Sequence, residues 1–462
     1  MKDSVHTGDF CILTKGRRIV IIGNGIAGVT CARHLRKRDS EAQITIISGE
    51  TEHFFSRTAL MYIYMGHMKY EHTKPYEDWF WEKNRLQLVH GWVTSIDFGK
   101  KELQLQQQEP IKYDILILAL GSKPNMFGWP GQELQGVQGL YSYQDLQKMN
   151  ESTASCQRAV VVGGGLIGVE MAEMLLSRKL PVTFLVREAG FWEHVLPKEE
   201  SELVMRHMRE HHVDLRLQTE LKELLDDGTG RVRAVVTASG EEIPCQFVGL
   251  AVGVRPNIEL VRNTALEINR GILVNEHFAT NIPNVFAIGD CAEYRVPLPN
   301  RQSVEQVWYT GRMHGETLAH NLTHEPVKYN PGPWFNSAKF FDIEYQTYGM
   351  VPNTWEEPVA SFYWEHESGK IAFRAVFNGT DKRLHGVNAF GLRLRHEFFD
   401  RALKENRTVE EVLVKLQEAL FDPEFYAKHN YEMLQAYNRQ FGTNLEPEKK
   451  KKKGMLAALL GL

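Results

Sequence analysis

The chain has 462 residues, of which 43% are hydrophobic and 24% charged, with a formal net charge of −4. A chain of this length is too long for a single hydrophobic core, so we expect two or three domains. So small a net charge gives no reason to expect nucleic acid as a partner. Because no apolar run approaches the roughly 20 residues of a membrane span and residues 1–18 lack a signal-peptide core, we expect a cytoplasmic protein.

The first recognisable element is a strand followed by a glycine-rich turn and a helix. Residues 19–22 are consecutive apolar residues, which is typical of a strand buried on both faces. The run continues into Gly-x-Gly-x-x-Gly at Gly23, Gly25 and Gly28, which we call the first fingerprint. In this motif the glycines permit a tight turn, the approach of a pyrophosphate and close helix packing. Free N–H groups at the helix start would then face the anion.

The second strand, residues 43–47, ends close to an acidic residue. An acid roughly 20 residues past the glycines normally binds the adenosine ribose. Glu50 is the candidate, although Ser48 occupies the more usual position. The alternative is a solvated glutamate in a turn.

The opening pattern then returns as a second fingerprint. Residues 159–162 form another apolar run, and the same glycine spacing recurs at Gly163, Gly165 and Gly168. A companion strand is predicted at residues 182–186. Residues 247–257 repeat the pattern of residues 112–124, in which an apolar strand stops in a glycine turn. Two fingerprints with matching companion strands predict an internal duplication of a dinucleotide-binding module.

The cysteines give no signal for metal or disulfide chemistry. They lie far apart in the chain, at Cys11, Cys31, Cys156, Cys245 and Cys291. Without a Cys-x-x-Cys pair, we predict no zinc or iron–sulfur site, no redox disulfide and a reducing compartment. We also expect no metal site elsewhere, and we interpret His211 and His212 as a solvated helix end.

The last third of the chain has a different texture. Residues 326–400 are rich in aromatic side chains and predict an antiparallel sheet, and residues 397–440 predict helices. The chain then ends in five lysines, residues 449–453, and a mostly apolar segment, residues 454–462. Such a tail suits docking on an anionic membrane surface or in a partner's groove, and its alternative is a disordered tail.

Over residues 17–325 these motifs resemble the pyridine-nucleotide-dependent FAD oxidoreductases with two dinucleotide folds. The similarity is greatest to the rubredoxin and ferredoxin reductase-like and nitrite reductase-like branch, which has no redox cysteine pair. The resemblance implies an α/β fold of two Rossmann-like, glutathione reductase-like domains plus an α+β C-terminal domain. The implied order is FAD domain (17–140), NAD(P) domain (141–270), FAD domain resumed (271–325), interface domain (326–440) and tail (441–462).

The resemblance also implies roles for particular residues. The first fingerprint would hold FAD, with Gly289 and Asp290 at its ribityl and phosphate region, and the second would hold NADH or NADPH. Arg57, in a segment that loosely matches Tyr-x-Arg, is the candidate for the FAD pyrophosphate; its alternative is a surface arginine. Residues 333–337 resemble a loop that approaches the flavin.

Glu170 is the predicted catalytic residue, because it would hold the nicotinamide amide. The alternative is a glutamate that only stabilises its helix. A lysine common in the family is missing, with Tyr62 near its place, which puts the Glu–Lys pair in doubt. The predicted cofactor-binding residues are Gly23, Gly25, Ile26, Ala27, Gly28, Glu50, Arg57, Val93, Ala119, Gly121, Gly163, Gly165, Leu166, Ile167, Gly168, Glu170, Arg187, Gly253, Gly289, Asp290 and Trp334.

Arg187 stands where modules specific for NADH place an acid, which favours the 2′-phosphate of NADPH, although the adjacent Glu188 opposes it. The predicted function is hydride transfer from NAD(P)H to FAD, with electrons passed to a redox protein such as an iron–sulfur carrier. The alternatives are a membrane-associated quinone reductase, peripheral to the inner face of a membrane, and a flavin-bound signalling or scaffold protein with slow turnover. A homodimer is a further prediction.

Overall fold

The computed structural model describes residues 16–299, 301–421 and 428–448. Within these ranges the chain forms two compact units, one from residues 16–188 and 212–331 and one from residues 189–211 and 332–448. The five-part domain division predicted from the sequence has other boundaries than these two units, and it stays a prediction. No helix in the described ranges is both long and apolar enough to cross a membrane.

The first fingerprint lies in a sheet of five parallel strands in the first unit. Their spatial order is Val285–Ala287, Ile115–Leu118, Arg18–Ile22, Gln43–Ser48 and Leu86–His90. The central strands are almost entirely buried, as expected for a parallel sheet covered on both faces.

The second fingerprint lies in a second five-stranded parallel sheet of the same unit. Its spatial order is Asp214–Arg216, Val182–Leu185, Ala159–Val162, Phe247–Leu250 and Val137–Gln138. In both sheets the strand before the glycines lies between its companion strand and the strand that closes the module. The predicted duplication is therefore present in three dimensions.

Residues 112–124 and 247–257 each contain a buried strand, Ile115–Leu118 and Phe247–Leu250, that ends shortly before a glycine turn. Each breaks at a glycine with positive φ, Gly121 at 70° and Gly253 at 86°, because that conformation cannot continue a strand. The short strands beyond the breaks, Ser122–Pro124 and Val254–Pro256, pair with each other in antiparallel fashion. The two modules are therefore joined directly through their equivalent segments.

Three smaller sheets complete the first unit. Two are antiparallel and three-stranded, and one is a parallel pair: Val93–Asp97, Glu102–Leu105 and Gln108–Lys112; Leu221–Asp226, Val232–Thr237 and Glu242–Pro244; Ile272–Val274 and Ala292–Tyr294. The α-helices of the unit are Ile26–Arg38, Leu60–Tyr64, Trp79–Lys83, Tyr143–Thr153, Leu166–Ser177 and Trp308–Asn321. Its 3₁₀ turns are Arg57–Ala59, Tyr70–Thr73, Glu259–Val261 and Gly289–Cys291.

The first fingerprint helix and the helix Trp308–Asn321 approach each other closely. A Cβ on Gly315 would lie 2.5 Å from the carbonyl oxygen of Ala27, so only glycine fits at this crossing. The same helix carries Gly311, whose Cβ would lie 3.2 Å from the side chain of Ile26. Close packing here brings the late part of the chain against the start of the first fingerprint.

The second unit is built on an antiparallel sheet, as predicted for residues 326–400. Its strands lie in the order Phe335–Phe340, Ile343–Gly349, Leu384–Phe390, Ala372–Asn378 and Val359–Glu365. Its helices are Lys198–Glu210, His396–Lys404, Val409–Val414 and Asn430–Phe441, with a 3₁₀ turn at Leu416–Ala419. The helix Lys198–Glu210 comes from the middle of the chain, which the aromatic texture of residues 326–400 could not indicate.

Candidate functional site

A cavity of about 650 Å³ opens at the carboxyl ends of the first parallel sheet. Its volume lies within the range of about 300–1,000 Å³ that small-molecule sites occupy. The predicted residues that line it are Gly23, Gly25, Ile26, Ala27, Glu50, Arg57, Val93, Ala119, Gly121, Ile167, Glu170, Gly289 and Asp290. The other predicted residues of the first unit are not part of its lining: Gly28, Gly163, Gly165, Leu166, Gly168, Arg187 and Gly253. Trp334 belongs to the second unit.

The first glycine of each fingerprint is required by backbone packing. Gly23 has φ of 114°, and a Cβ there would lie 2.0 Å from the carbonyl oxygen of Ala119. Gly163, its counterpart, has φ of 117° and would meet the carbonyl oxygen of Ala251 at 2.3 Å. The two turns therefore share one geometry, and a side chain is excluded at the first position of each.

The middle glycines have a different surrounding. A Cβ on Gly25 or on Gly165 would have no heavy atom within 4 Å. Both residues are N-caps of the helices that follow, so the open space lies beside N–H groups that have no helical partner. Open space at this place is what a pyrophosphate needs, and the residues present therefore fit a dinucleotide at each fingerprint.

Glu50 and Arg57 form an ion pair in the lining of the cavity. Arg57 donates from Nη1 and Nη2 to the two carboxylate oxygens of Glu50, at 2.7 and 2.6 Å, and from Nη1 to the carbonyl oxygen of Tyr141 at 2.6 Å. The backbone N–H of Tyr143 also donates to Glu50, at 2.8 Å. Burial would lower the pKa of Arg57, but Glu50 raises it above the ordinary arginine value. The two residues predicted separately for ribose and pyrophosphate thus hold each other in place.

Asp290 is held by hydroxyl groups from distant parts of the chain. Its Oδ2 accepts hydrogen bonds from Ser122 Oγ at 3.0 Å and Tyr141 Oη at 3.3 Å. Gln306 in turn donates from Nε2 to Ser122 Oγ at 2.6 Å. Desolvation raises the pKa of Asp290, while Ser122 and the charge of Arg57 act to lower it. This network orients one carboxylate oxygen and joins three segments around the cavity.

Further side chains line the cavity and were not predicted from the sequence, among them Trp92, Ser122, Tyr141 and Gln306. Ser122 follows Gly121 directly, so the glycine turn was an available signal for it. Tyr141 contacts Asp290, and Gln306 contacts Ser122, each from a distant position in the chain. No local sequence motif therefore identifies either residue.

His314 supports the turn that carries Asp290. The N–H of Gly289 donates to His314 Nδ1 at 3.1 Å, so the neutral ring carries its proton on Nε2, 2.8 Å from Tyr294 Oη. The ring is 1% exposed, and burial lowers the pKa of His314 to about 3. His314 therefore stays neutral and positions the backbone of Gly289.

We expect His314 to make the protein less stable as the pH falls. In the unfolded chain this ring takes up a proton near pH 6.5, whereas the folded protein takes it up near pH 3, so the free energy of unfolding decreases as the pH falls below 6.5. Between pH 7 and 5 the decrease should be smaller by roughly 1–2 kcal/mol in His314→Gln. Urea unfolding of both proteins at the two pH values measures this, and parallel losses would contradict it.

The second fingerprint reaches the same cavity through its helix. Ile167 and Glu170, both on Leu166–Ser177, belong to the lining together with the glycines of the first fingerprint. One cavity therefore has contributions from both dinucleotide modules. Hydride transfer between two bound dinucleotides requires such an arrangement.

The four described cysteines carry no disulfide. Cys291 follows Asp290, and its thiol is surrounded by the backbone of Leu118, Leu120 and Ile288. Burial raises the pKa of Cys291 to about 12, so the thiol is not ionised at neutral pH. Cys11 lies outside the described residues.

The sequence and the fold are both similar to known proteins. A family model described as pyridine nucleotide-disulphide oxidoreductase matches residues 17–315. Rhodocoxin reductase from Rhodococcus erythropolis is 32% identical over 334 residues, covering 70% of this chain and 76% of the relative. The assimilatory nitrate reductase electron transfer subunit from Bacillus subtilis is 27% identical over 398 residues, covering 85% of this chain. The chain spans only 50% of the length of that Bacillus relative.

Among solved structures, a ferredoxin reductase from Rhodopseudomonas palustris superposes with a TM-score of 0.77 at 22% identity. The match covers 85% of this chain and 96% of the other. It confirms the predicted fold class, an α/β protein with two Rossmann-like modules. The sequence matches confirm the resemblance on which the site predictions rest.

Proposed function

Because the chain belongs to the pyridine nucleotide-disulphide oxidoreductase family, we propose that it oxidises NADH or NADPH and delivers the electrons to a redox protein. The observation that carries the proposal is the shared cavity, to which the first fingerprint contributes Gly25 and the second contributes Glu170. The predictions of an oxidoreductase, of FAD and of a nicotinamide nucleotide are confirmed by the family.

The residues that would hold FAD surround the first fingerprint. We propose that Gly25 and the helix N–H groups after it bind the pyrophosphate, assisted by Arg57. Glu50 binds Arg57 through both carboxylate oxygens, so it orients the guanidinium as well as facing the ribose. Asp290, with one oxygen fixed by Ser122 and Tyr141, would accept hydrogen bonds from the ribityl chain. FAD, when bound, supplies hydride acceptance and the release of single electrons.

Glu170 is the proposed contact for the nicotinamide amide. It lies within the first turns of the second fingerprint helix and lines the cavity. Its carboxylate would accept the amide N–H and so orient the ring, without exchanging a proton with the substrate. The role of Trp334 stays a prediction.

The acceptor is proposed from the relatives and from the cysteines together. The relatives include a rhodocoxin reductase and a biphenyl dioxygenase system ferredoxin–NAD(+) reductase component, whose names specify rhodocoxin and ferredoxin. The buried, unpaired cysteines described in this chain do not favour a disulfide substrate. The predicted membrane or partner docking through residues 449–462, and with it the quinone alternative, concerns residues outside those described. The homodimer and the cytoplasmic location also stay predictions.

Anaerobic reduction of the FAD-loaded protein tests the proposal. We expect NADH or NADPH to bleach the flavin absorbance and an iron–sulfur protein to restore it faster than quinone, oxygen or a disulfide does. Fast reoxidation by quinone instead would support the membrane-associated alternative. Slow reoxidation by every acceptor would overturn electron transfer and support the signalling alternative.

The nucleotide preference depends on Arg187. Its side chain is 69% exposed and lies 2.9 Å from Glu188, so it is accessible to a 2′-phosphate but shares its charge with a carboxylate. We expect Arg187→Glu to shift the ratio of kcat/KM toward NADH by about 10- to 150-fold, since a charge-assisted contact contributes about 1.5–3 kcal/mol. Steady-state kinetics with both nucleotides measures the ratio. An unchanged ratio would mean that Arg187 does not contact the phosphate.

A further inference from the structure

Two histidines and an aspartate converge in the second unit, away from the fingerprints. His207 and His211 are four residues apart at the end of the helix Lys198–Glu210, so their rings project from one face. Asp342 lies opposite them, in the turn between the strands Phe335–Phe340 and Ile343–Gly349. One ligand atom from each of the three side chains lies within 4.8 Å of the others.

The turn that presents Asp342 is strained. Phe340 pairs with Ile343, so only Phe341 and Asp342 form the hairpin loop. Phe341 has φ of 55°, a conformation that is costly for a bulky side chain. Its ring stacks on His211 with 4.4 Å between centroids and 8° between planes. The strained residue thus fixes the orientation of one histidine and places the carboxylate beside both.

The partners of the histidines leave their Nε2 atoms directed at the aspartate. His207 Nδ1 contacts Glu210 Oε2 at 3.3 Å, whereas His207 Nε2 contacts Asp342 Oδ1. His211 Nε2 lies 3.2 Å from the same oxygen. A carboxylate on the outer nitrogen of a metal-binding histidine is the usual device that orients the ring. His207 is 1% exposed, so its orientation is fixed by packing as well.

We propose that His207, His211 and Asp342 bind one divalent transition-metal ion, and that zinc is the ion that suits them. Two imidazole nitrogens and one carboxylate oxygen are zinc ligands, and they leave a fourth tetrahedral position for water. With bonds of about 2.0–2.1 Å, tetrahedral ligand atoms stand about 3.3 Å apart, close to the 3.2 Å between His211 Nε2 and Asp342 Oδ1. His207 Nε2 lies closer to that oxygen than this spacing, so the Asp342 side chain, which is 60% exposed, would rotate to admit the ion.

Lys370 carries a positive charge that opposes a cation here. Its Nζ lies 3.5 Å from the other carboxylate oxygen, Asp342 Oδ2, and its side chain is 45% exposed. It can turn into solvent when the metal binds, whereas His207 cannot. The metal would connect the helix Lys198–Glu210 to the hairpin, and so stabilise the second unit. This role is separate from electron transfer.

Zinc titration of the full-length, FAD-loaded protein without an affinity tag tests the site. A second group, His366, His429 and Glu432, also meets the distance requirement, so all proteins carry His366→Gln. Calorimetry with ZnCl₂ should give one ion per chain, and Co²⁺ should give the visible absorption of a tetrahedral site. His211→Gln and Asp342→Asn should each weaken binding at least about tenfold, and Glu210→Gln, a positioning change, about tenfold.

His212→Gln is the matched control, because His212 is adjacent in sequence but does not belong to the group. It should bind zinc as tightly as the parent, which is the protein that carries His366→Gln alone. Flavin reduction by NADH should be equal in all variants that fold. Zinc should also raise the thermal midpoint of the parent and of His212→Gln, but not of His211→Gln. Absence of zinc uptake by the parent, or equal binding by His211→Gln and His212→Gln, would overturn the proposal and leave the cluster as direct contacts of His207 with Asp342 and Glu210.

Discussion

Gly25→Val should weaken FAD binding by about 10- to 100-fold, whereas Gly165→Val should leave FAD bound and weaken NAD(P)H to a similar degree. Gly25 has φ of −71° and Gly165 φ of −126°, conformations that valine also adopts, so neither change strains the backbone. Each side chain instead fills the open space beside a helix N-terminus, where a pyrophosphate would approach.

The two variants control each other, because they make the same substitution at the N-cap of equivalent helices. FAD titration of the apoprotein gives the first dissociation constant, and the KM for the nucleotide in flavin reduction gives the second. We expect similar thermal midpoints for the two apoproteins. Loss of FAD in Gly165→Val with retention in Gly25→Val would reverse the assignment of the two fingerprints.

Arg374→Ala should lower the free energy of unfolding of the second unit by about 3–5 kcal/mol, because it leaves a buried carboxylate without its cation. Arg374 and Glu200 are 1% and 0% exposed, and Arg374 Nε donates to Glu200 Oε1 at 2.8 Å. Arg374 also donates to Glu199 and Ser361, and Asn388 donates to the other oxygen of Glu200. This network joins the helix Lys198–Glu210 to the antiparallel sheet.

The pH dependence of this loss identifies the buried charge as its cause. Burial raises the pKa of Glu200 to about 7, while Arg374 and Asn388 act to lower it. A raised pKa favours the folded state below the ordinary glutamate value, and this stability is lost as the pH rises through 7. In Arg374→Ala, a protonated Glu200 needs no cation, so the loss should be smaller at pH 5 than at pH 8.

Arg206→Ala is the matched control for the same helix and sheet. Arg206 pairs with Glu365, but their side chains are 46% and 25% exposed, so we expect a loss of no more than about 1 kcal/mol. Urea unfolding followed by circular dichroism measures all three proteins. Equal losses in the two variants would show that burial of the Arg374 pair does not matter.

The two fingerprints were predictable from the sequence because each of their requirements is local. A tight turn needs a glycine, a doubly covered strand needs consecutive apolar residues, and a helix start follows within a few positions. Gly23 and Gly163 show this, since their positive φ values are almost equal in the two copies. The antiparallel sheet of the last third was likewise visible in its alternating aromatic residues.

Only the tertiary structure decided which residues surround these motifs. The pairing of Glu50 with Arg57 and the hydroxyls of Ser122 and Tyr141 on Asp290 form across loops whose sequences show no shared pattern. His207 meets Asp342 across a sequence separation of 135 residues, so no spacing could reveal it. The sequence by itself determined the two dinucleotide turns because they depend on backbone conformation. The Arg374–Glu200 ion pair, the Asp290 network and the histidine cluster depend on packing between distant segments, and packing exists only in the folded chain.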